Sequence, residues 1–565
     1  MSETGKKQNF LHGAALLALA VAVVKIIGAF YKIPLKMIIG DQGYGYFTTA
    51  YDIYSVLLMI STAGLPIAMS RMISQAHSLG NYNQVRRIYK TARIIFLGLG
   101  LVSSLLMVIG CRWLANVMEQ PDAWAAILCL GPCALLMGFL STYRGFFQGQ
   151  ENMRPTSRSQ MLEALCKLVV GLAAAFVIMR LTSSVALAAG GAILGVTVSC
   201  LVSAIYLYWK FRPAYRELPR TEDTALTSGA TAKQLLAIAV PITIGSAGLQ
   251  LLTVVETGLY MDRVVDLIDT NRYTLPLVEI LKNELLADGT AAIELPNKVA
   301  ASMKGIYNFA QTIFNMPCAF IIPITASVLP AITANLTLKK DREVRTTEES
   351  AARITGLLSL PCTVGLCILA SPVMALLGGY SGEKLTFATH MMLMLGACVF
   401  LYSVIQYTNV ILQSHGYAHV PVINMLVCGV LKLVVVYILS GNPALGIYGV
   451  PMGTILCYGA ISVLNLLSIR RRVPQKPRLL RNLLRPVLPA AIMGVFVWGA
   501  YWVLTKVLGP DTSSVILCGV PVVVGVVVYV VVWCCLSPSS GKIACCCLRV
   551  KRSPNFYGCK SEKNG

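Results

Sequence analysis

Charge is scarce in this chain, and acidic charge is scarcest. Of 565 residues only 13% are charged, with 25 Asp and Glu against 47 Lys and Arg, while 56% are hydrophobic. Soluble domains carry about 25% charged residues, so an aqueous fold is excluded. No Gly-rich phosphate cradle ending in Lys-Ser or Lys-Thr is present, which argues against ATP hydrolysis by this chain. The 18 cysteines lie mostly inside apolar runs, such as Cys129, Cys133, Cys166, Cys367, Cys428 and Cys518, so no disulfide framework is implied. Cys545, Cys546 and Cys547 have neither a nearby His nor spaced Cys partners, and read as incidental thiols rather than a metal site.

What the chain has instead is about fourteen apolar stretches of roughly 20 residues, the length that carries a helix across hydrocarbon. They are expected at 10–31, 46–69, 91–111, 123–143, 160–180, 185–208, 234–260, 303–330, 352–370, 386–411, 421–440, 447–468, 487–507 and 514–536. The first run follows Lys6 and Lys7 and is too long for a signal-peptide core, so it reads as a span. Basic residues crowd alternate gaps: Arg86, Arg87, Lys90 and Arg93; Lys210, Arg212, Arg216 and Arg220; Lys339, Lys340, Arg342 and Arg345; and Arg470 through Arg485. The intervening gaps hold few, such as Arg112, Arg180, Lys384 and Lys506. Positive loops mark the cytoplasmic side, so the net charge of +22 reflects membrane orientation and anionic headgroups rather than nucleic acid. Both termini are expected inside. The gap 413–421 holds only His415 and His419, and parity alone places it.

The two halves echo one another at an offset of roughly 260 residues. Gly64-Leu65-Pro66 is answered by Val328-Leu329-Pro330, and Gln148-Gly149 through Pro155 by Gln413-Ser414 through Pro421. The organisation expected is all-α: an N-terminal lobe over 1–215, a second lobe over 230–470, two additional helices over 486–536 and a basic tail over 537–565. The one long gap, 261–299, is acidic, with Leu277, Ile280, Leu281 and Leu285 at helical spacing. It is expected to form a surface helix, as a solvated spacer rather than a lid.

Charged residues inside spans cost several kcal/mol each and call for a partner or a wet cavity. Lys25, Lys32 and Lys36 fall within about 40° of one another on the first span, with Pro34 a candidate bend. Lys304, Asn308, Gln311 and Asn315 form a second stripe about 60° wide. Tyr402, Gln406, Asn409 and Gln413 form a third, and Asp52, Ser55 and Thr62 share a side of span two. Such stripes either line a hydrated cavity or bond helices together; unpaired lysines favour the cavity. Asp52, Glu163 and Glu256 are candidate neutralisers, Glu163 is expected to pair with Lys167 one turn on, Lys432 is a further buried cation, and Lys36 is expected to snorkel. Surplus lysine suits a phosphate or diphosphate, whereas an exporter of cations or a proton pump would want carboxylates.

Three blocks resemble a known family. They are Gly40-Asp41-Gln42-Gly43-Tyr44-Gly45 followed by Tyr51; Gly64-Leu65-Pro66 with Ala68, Ser70 and Arg71; and Tyr143-Arg144-Gly145 with Phe147, Gln148, Gly149, Met153, Pro155, Thr156, Ser159, Gln160 and Glu163. The chain is similar to the polysaccharide biosynthesis or stage V sporulation protein B-like group of the multidrug/oligosaccharidyl-lipid/polysaccharide exporter superfamily, with kinship to lipid II flippases. The resemblance implies two six-helix lobes, no cofactor, and alternating access for an undecaprenyl-diphosphate-linked saccharide in the bacterial cytoplasmic membrane. By position it assigns the diphosphate to Lys25, Lys32 and Lys304, with Asp52, Asn308 and Gln311 in the same substrate region. Arg71, Arg144, Gln148 and Gln413 are candidate inner-gate residues; cytoplasmic anchoring is the simpler role for Arg144, Gln148 and Arg154. Expected partners are the lipid-linked substrate and membrane lipids, with no nucleic acid, and the chain is expected to act as a monomer. A cation-coupled multidrug exporter of the same superfamily is the rival reading. A membrane enzyme ranks lower, because the long gap holds no His or Cys.

Overall fold

The computed structural model describes residues 3–62, 64–150, 152–219, 226–508 and 514–536. The Lys25 and Thr62 side chains, Cys545 to Cys547 and the basic tail lie outside the described residues. Among the described residues all regular elements are helical. They are α1 (Glu3–Thr62), α2 (Leu65–Ser78), α3 (Tyr82–Ile109), α4 (Cys111–Val117), α5 (Trp124–Gly149), α6 (Arg154–Thr182), α7 (Val185–Arg216), α8 (Ser228–Asp269) and α9 (Pro276–Ala287). There follow α10 (Leu295–Thr337), α11 (Asp341–Ile368), α12 (Ala370–Gly378), α13 (Gly382–Ser414), α14 (His419–Ser440), α15 (Gly449–Arg472), α16 (Leu479–Leu484), α17 (Val487–Leu508) and α18 (Ser514–Leu536). Ten helices among the described residues are long and apolar enough to cross a membrane. The remaining four expected stretches fall on α1, α8 and α10. The protein is an all-α, multi-pass membrane protein, and bulky exposed residues such as Phe176, Val430, Phe496 and Val523 face where lipid would lie.

α1 carries the first two expected spans, broken at Gly40, whose φ of +68° an L side chain rarely adopts. The break falls at Gly40, while Pro34 stays inside helical backbone. The second expected span, 46–69, is cut short. α1 stops at Thr62, and α2 starts afresh with Pro66 in its first turn, where a missing N–H costs nothing. At that start Gly64 lies against the Ala239 carbonyl, 2.1 Å from where a Cβ would stand. The answering segment Val328-Leu329-Pro330 shows no such break, because α10 runs through it. α8 overruns its expected end and reaches Asp269; α9 is the expected surface helix, with Leu277 and Leu281 buried, Leu285 half-buried and Ile280 exposed.

α1, α2, α3, α5, α6 and α7 pack as one bundle. Its basic-loop end is held by a knot of rings: Tyr89 stacks on Phe211 at 4.5 Å between centroids, and Phe146 meets Phe211 edge-on at 4.9 Å. α10, α11, α13, α14 and α15 form a second bundle, against which α17 and α18 pack through α11 and α12. α8 passes between the two. Near its start, Arg87 donates to the Ser228 hydroxyl at 2.9 Å; further along, Lys432 of α14 bonds Glu256 at 2.7 Å.

The bundles touch chiefly where the second part of α1 crosses α10. Small residues bring the two backbones together: a Cβ on Gly45 would stand 2.3 Å from the Ala301 carbonyl oxygen, and one on Gly305 1.8 Å from that of Asp41. Gly305→Ala should therefore lower the thermal midpoint of the detergent-purified protein, consistent with an overpacking cost of about 1–3 kcal/mol. Gly499→Ala, whose added carbon meets nothing within 4 Å, should leave the midpoint unchanged or slightly raised. Equal midpoints for the two variants would remove the backbone contact as a determinant of the fold.

Candidate functional site

The crossing of α1 and α10 carries a ladder of polar contacts. The hydroxyls of Tyr44 and Thr312 share a hydrogen bond at 2.8 Å, and Asn308 Nδ2 donates to Thr48 Oγ1 at 2.7 Å. Lys304 Nζ donates to Thr49 Oγ1 at 2.5 Å and meets Asp52 Oδ2 at 3.3 Å. At the Gly40 end, Lys36 Nζ lies 3.2 Å from Asp41 Oδ1 and 3.7 Å from the centre of the Tyr380 ring, and it donates to the Gly378 carbonyl. The Tyr380 hydroxyl donates to Asp41 at 2.9 Å. The ladder seals the two bundles at the face that bears Gly40.

These contacts revise the expected roles. Lys304 and Asp52 do meet, but as an ion pair in which the Lys304 side chain is 0% exposed, so this ammonium is not free in a cavity. Asn308 joins the ladder, whereas Gln311 is exposed and makes no hydrogen bond among the described residues. Lys36 does not snorkel; the Asp41 carboxylate and the Tyr380 face hold it inside. Glu163 pairs with Arg144 of α5 at 2.8 Å rather than with Lys167. A helical i,i+4 pair is a weak attraction, and the guanidinium, also bonded to Ser159 Oγ at 3.2 Å, gives the carboxylate a better-oriented donor. Lys167 turns to the Tyr51 hydroxyl at 2.8 Å, with the Tyr31 and Tyr51 rings 5.2 and 4.9 Å from its Nζ.

The candidate gate residues are not drawn together. Arg71 and Gln413 are exposed, Gln148 is half-buried, and Arg144 is committed to Glu163 within its own bundle. Other polar centres had little local signal. His415 Nε2 meets Glu348 Oε1 at 2.8 Å between α13 and α11, and Asn465 bonds Asn424 and Asn409, each at 2.9 Å. Single amides within apolar runs were the only trace of the second.

Among the described residues, four cations of the long helices can be set against four acids. Lys36, Arg144, Lys304 and Lys432 are matched by Asp41, Glu163, Asp52 and Glu256. Lys32 and Lys167 have no carboxylate within ion-pair distance among the described residues. Lys32 is half-buried on α1.

Removing one member of a buried pair leaves an uncompensated charge, a loss of about 3–5 kcal/mol. Asp52→Asn should therefore lower the thermal midpoint, and Asp52→Asn with Lys304→Gln should recover more than half of the loss. Additive losses in this double-mutant cycle would dissolve the pair as an energetic unit.

Sequence and structure comparisons follow the same lines. The membrane protein YabM of Bacillus subtilis is 26% identical over 519 residues, covering 90% of this chain and 89% of that protein. The lipid II flippase MurJ of the same organism is 23% identical, covering 88% and 89%. Among solved structures, the lipid II flippase MurJ in an inward closed conformation superposes with a TM-score of 0.60 at 11% identity, over 92% of this chain and 97% of that one. An inward-facing multidrug resistance MATE family transporter of the MOP superfamily also gives 0.60, at 16% identity over 80% and 98%. At such identities these two establish a shared fold. The lipid II flippase MurJ family profile matches residues 292–519, and that of the polysaccharide biosynthesis protein family matches residues 10–336, more than half of the chain. The chain belongs to the polysaccharide biosynthesis protein family.

Proposed function

We propose that the protein translocates an undecaprenyl-diphosphate-linked saccharide across the bacterial cytoplasmic membrane by alternating access. The observation that carries this reading is a surplus among the described residues: the ammonium groups of Lys32 and Lys167 have no carboxylate within ion-pair distance. A diphosphate joining a lipid to a sugar bears one negative charge on each phosphoryl group, so it balances that surplus while its prenyl tail stays in lipid. A drug cation would add to the excess. The flippase names among the relatives support the same cargo class.

On this reading the basic loops, including Arg470 to Arg472, face the cytoplasm, with both termini on that side. The ladder between α1 and α10 closes the outer face, and the bundles act as lobes over 1–215 and 230–470, with the helices of 486–536 attached to the second. Rocking would break the ladder, expose the site outward and bring Arg71, Arg144, Gln148 and Gln413 closer at the inner face. The work needs one chain and no cofactor. Peptidoglycan precursor or a related envelope or spore-cortex intermediate is the substrate favoured.

Depletion of the protein in a bacterial host should cause a lipid-linked precursor to accumulate on the inner leaflet, with drug tolerance unchanged. Wild-type protein should reverse the accumulation, and Lys32→Ala expressed to the same level should fail. An unchanged precursor distribution together with broad drug sensitivity would replace this reading by the multidrug-exporter one.

A further inference from the structure

α8 and α14 pack together and leave, near where both end, an open pocket of about 410 Å³ lined by Arg263, Tyr437, Ile438, Gly441, Asn442 and Pro443. α15 carries the chain away from this end to Arg470, Arg471 and Arg472. The pocket therefore lies at the opposite membrane face, the outer one on the orientation proposed above. Its loop wall is pinned. The Pro443 carbonyl accepts from Thr274 N at 3.3 Å and from Thr274 Oγ1 at 3.1 Å, and Asn442 Oδ1 accepts from Ala444 N at 3.0 Å. The Asn442 Nδ2 donors have no partner among the described residues.

Arg263 is the one charged residue of this lining. Its stem passes the bare Cα of Gly441, with Cδ 3.9 Å from where a Cβ would stand. The guanidinium lies over the Tyr437 ring, with Cζ 4.0 Å from its centre, and donates to the Tyr437 hydroxyl. A guanidinium has about five N–H donors; among the described residues only that hydroxyl receives one, and Nε is buried without an acceptor. Asp262 and Asp266 share the helix and are exposed, but neither lies within ion-pair distance. An under-satisfied guanidinium at a membrane boundary is matched by an anion with several oxygens, and its planar fork fits a phosphate.

The surroundings choose between a free anion and a lipid. Val427, Leu431, Val434 and Ile438 recur at helical spacing along α14 and are exposed, so an apolar stripe leads from the guanidinium into the lipid layer. A ligand that fits both regions has a phosphate at one end and an acyl chain at the other. An amine-bearing headgroup finds no acid in the lining.

We propose that this pocket binds the phosphodiester headgroup of an anionic glycerophospholipid, in the outer leaflet, with Arg263 as its charged ligand, Asn442 Nδ2 as a second donor and one acyl chain on the α14 stripe. Bound there, the lipid joins α8 to α14 beyond the Lys432–Glu256 pair and braces the bridging helix on the second bundle. The site does not depend on the cargo; only its leaflet follows from the orientation.

The test places the full chain in nanodiscs of phosphatidylcholine or of phosphatidylglycerol and reads the modification of individual arginines by phenylglyoxal through peptide mass spectrometry. Phosphatidylglycerol should slow the reaction of Arg263 at least tenfold and leave that of the exposed Arg272 within twofold. In detergent, dioctanoyl phosphatidylglycerol should protect Arg263, Ile438→Ser should weaken that protection several-fold, and glycerophosphoglycerol, which lacks the chains, should give none at the same concentration. By native mass spectrometry Arg263→Gln should retain one phosphatidylglycerol fewer per chain than wild type, and Arg272→Gln the same number. Equal reactivity of Arg263 in the two nanodiscs, or an unchanged lipid count in Arg263→Gln, overturns the site. Equal protection by inorganic phosphate identifies a free-anion site, and equal protection by phosphatidylethanolamine a contact indifferent to headgroup; either overturns the proposal. Stronger protection by a short-chain prenyl diphosphate gives the pocket to the transported lipid and overturns it likewise. Failure of the site on any of these grounds leaves the flippase reading standing, because its own test is precursor accumulation.

Discussion

An ammonium group within hydrocarbon must meet a carboxylate, an aromatic face or water, and this requirement organises the interior of the protein. Lys36 takes the first two, between Asp41 and Tyr380. Lys304 takes the first, reaching from α10 to Asp52 on α1, and so ties one bundle to the other. Lys432 does the same for α14 and α8 through Glu256. Each pair is both a neutralised charge and a tertiary joint, so electrostatic need and helix arrangement are satisfied together. Lys32 and Lys167 have no acid within ion-pair distance among the described residues, and Lys167 turns instead to the Tyr51 hydroxyl and two aromatic faces.

The joints are unevenly placed. Those at the Gly40 face cross between bundles, whereas the Arg144–Glu163 and His415–Glu348 pairs lie within one bundle each. An arrangement with its cross-links gathered at one face suits rigid groups that tilt against one another, since internal pairs survive the motion and only the cross-links exchange. α8 is bonded to α3 at its start and to α14 further on, and so bridges the groups whatever the tilt.

How much of this could be read from residues alone follows from the range of the forces involved. Apolar runs report helices because burial in lipid acts on every residue of a run, and Gly40 reported its turn because backbone conformation is local. The break before α2 was masked, since Leu65, Ile67 and Ala68 prolong the apolar run across Gly64 and Pro66. Ion pairing was the least legible layer. Lys304 and Asp52 were both suspected, yet 252 positions separate them and no local pattern joins them. Glu163 and Lys167 were joined wrongly for the converse reason: a neighbour one turn away is visible in sequence, while Arg144 and Tyr51 arrive from other helices. Lys167 therefore has no carboxylate within ion-pair distance among the described residues and bonds the Tyr51 hydroxyl instead.

The glycines of the crossing have one further consequence. With Gly45 against Ala301 and Gly305 against Asp41, backbone meets backbone, and the rungs from Tyr44 to Asp52 are short polar contacts. Parting the helices by little more than an ångström stretches the short Tyr44–Thr312 and Thr48–Asn308 rungs beyond bonding distance together, while the longer Lys304 side chain can follow. On the flippase reading this closure would act as a threshold device: small thermal excursions would leave it shut, and a displacement large enough to part the backbones would free its rungs together, so that water and ions would not leak through partial motions.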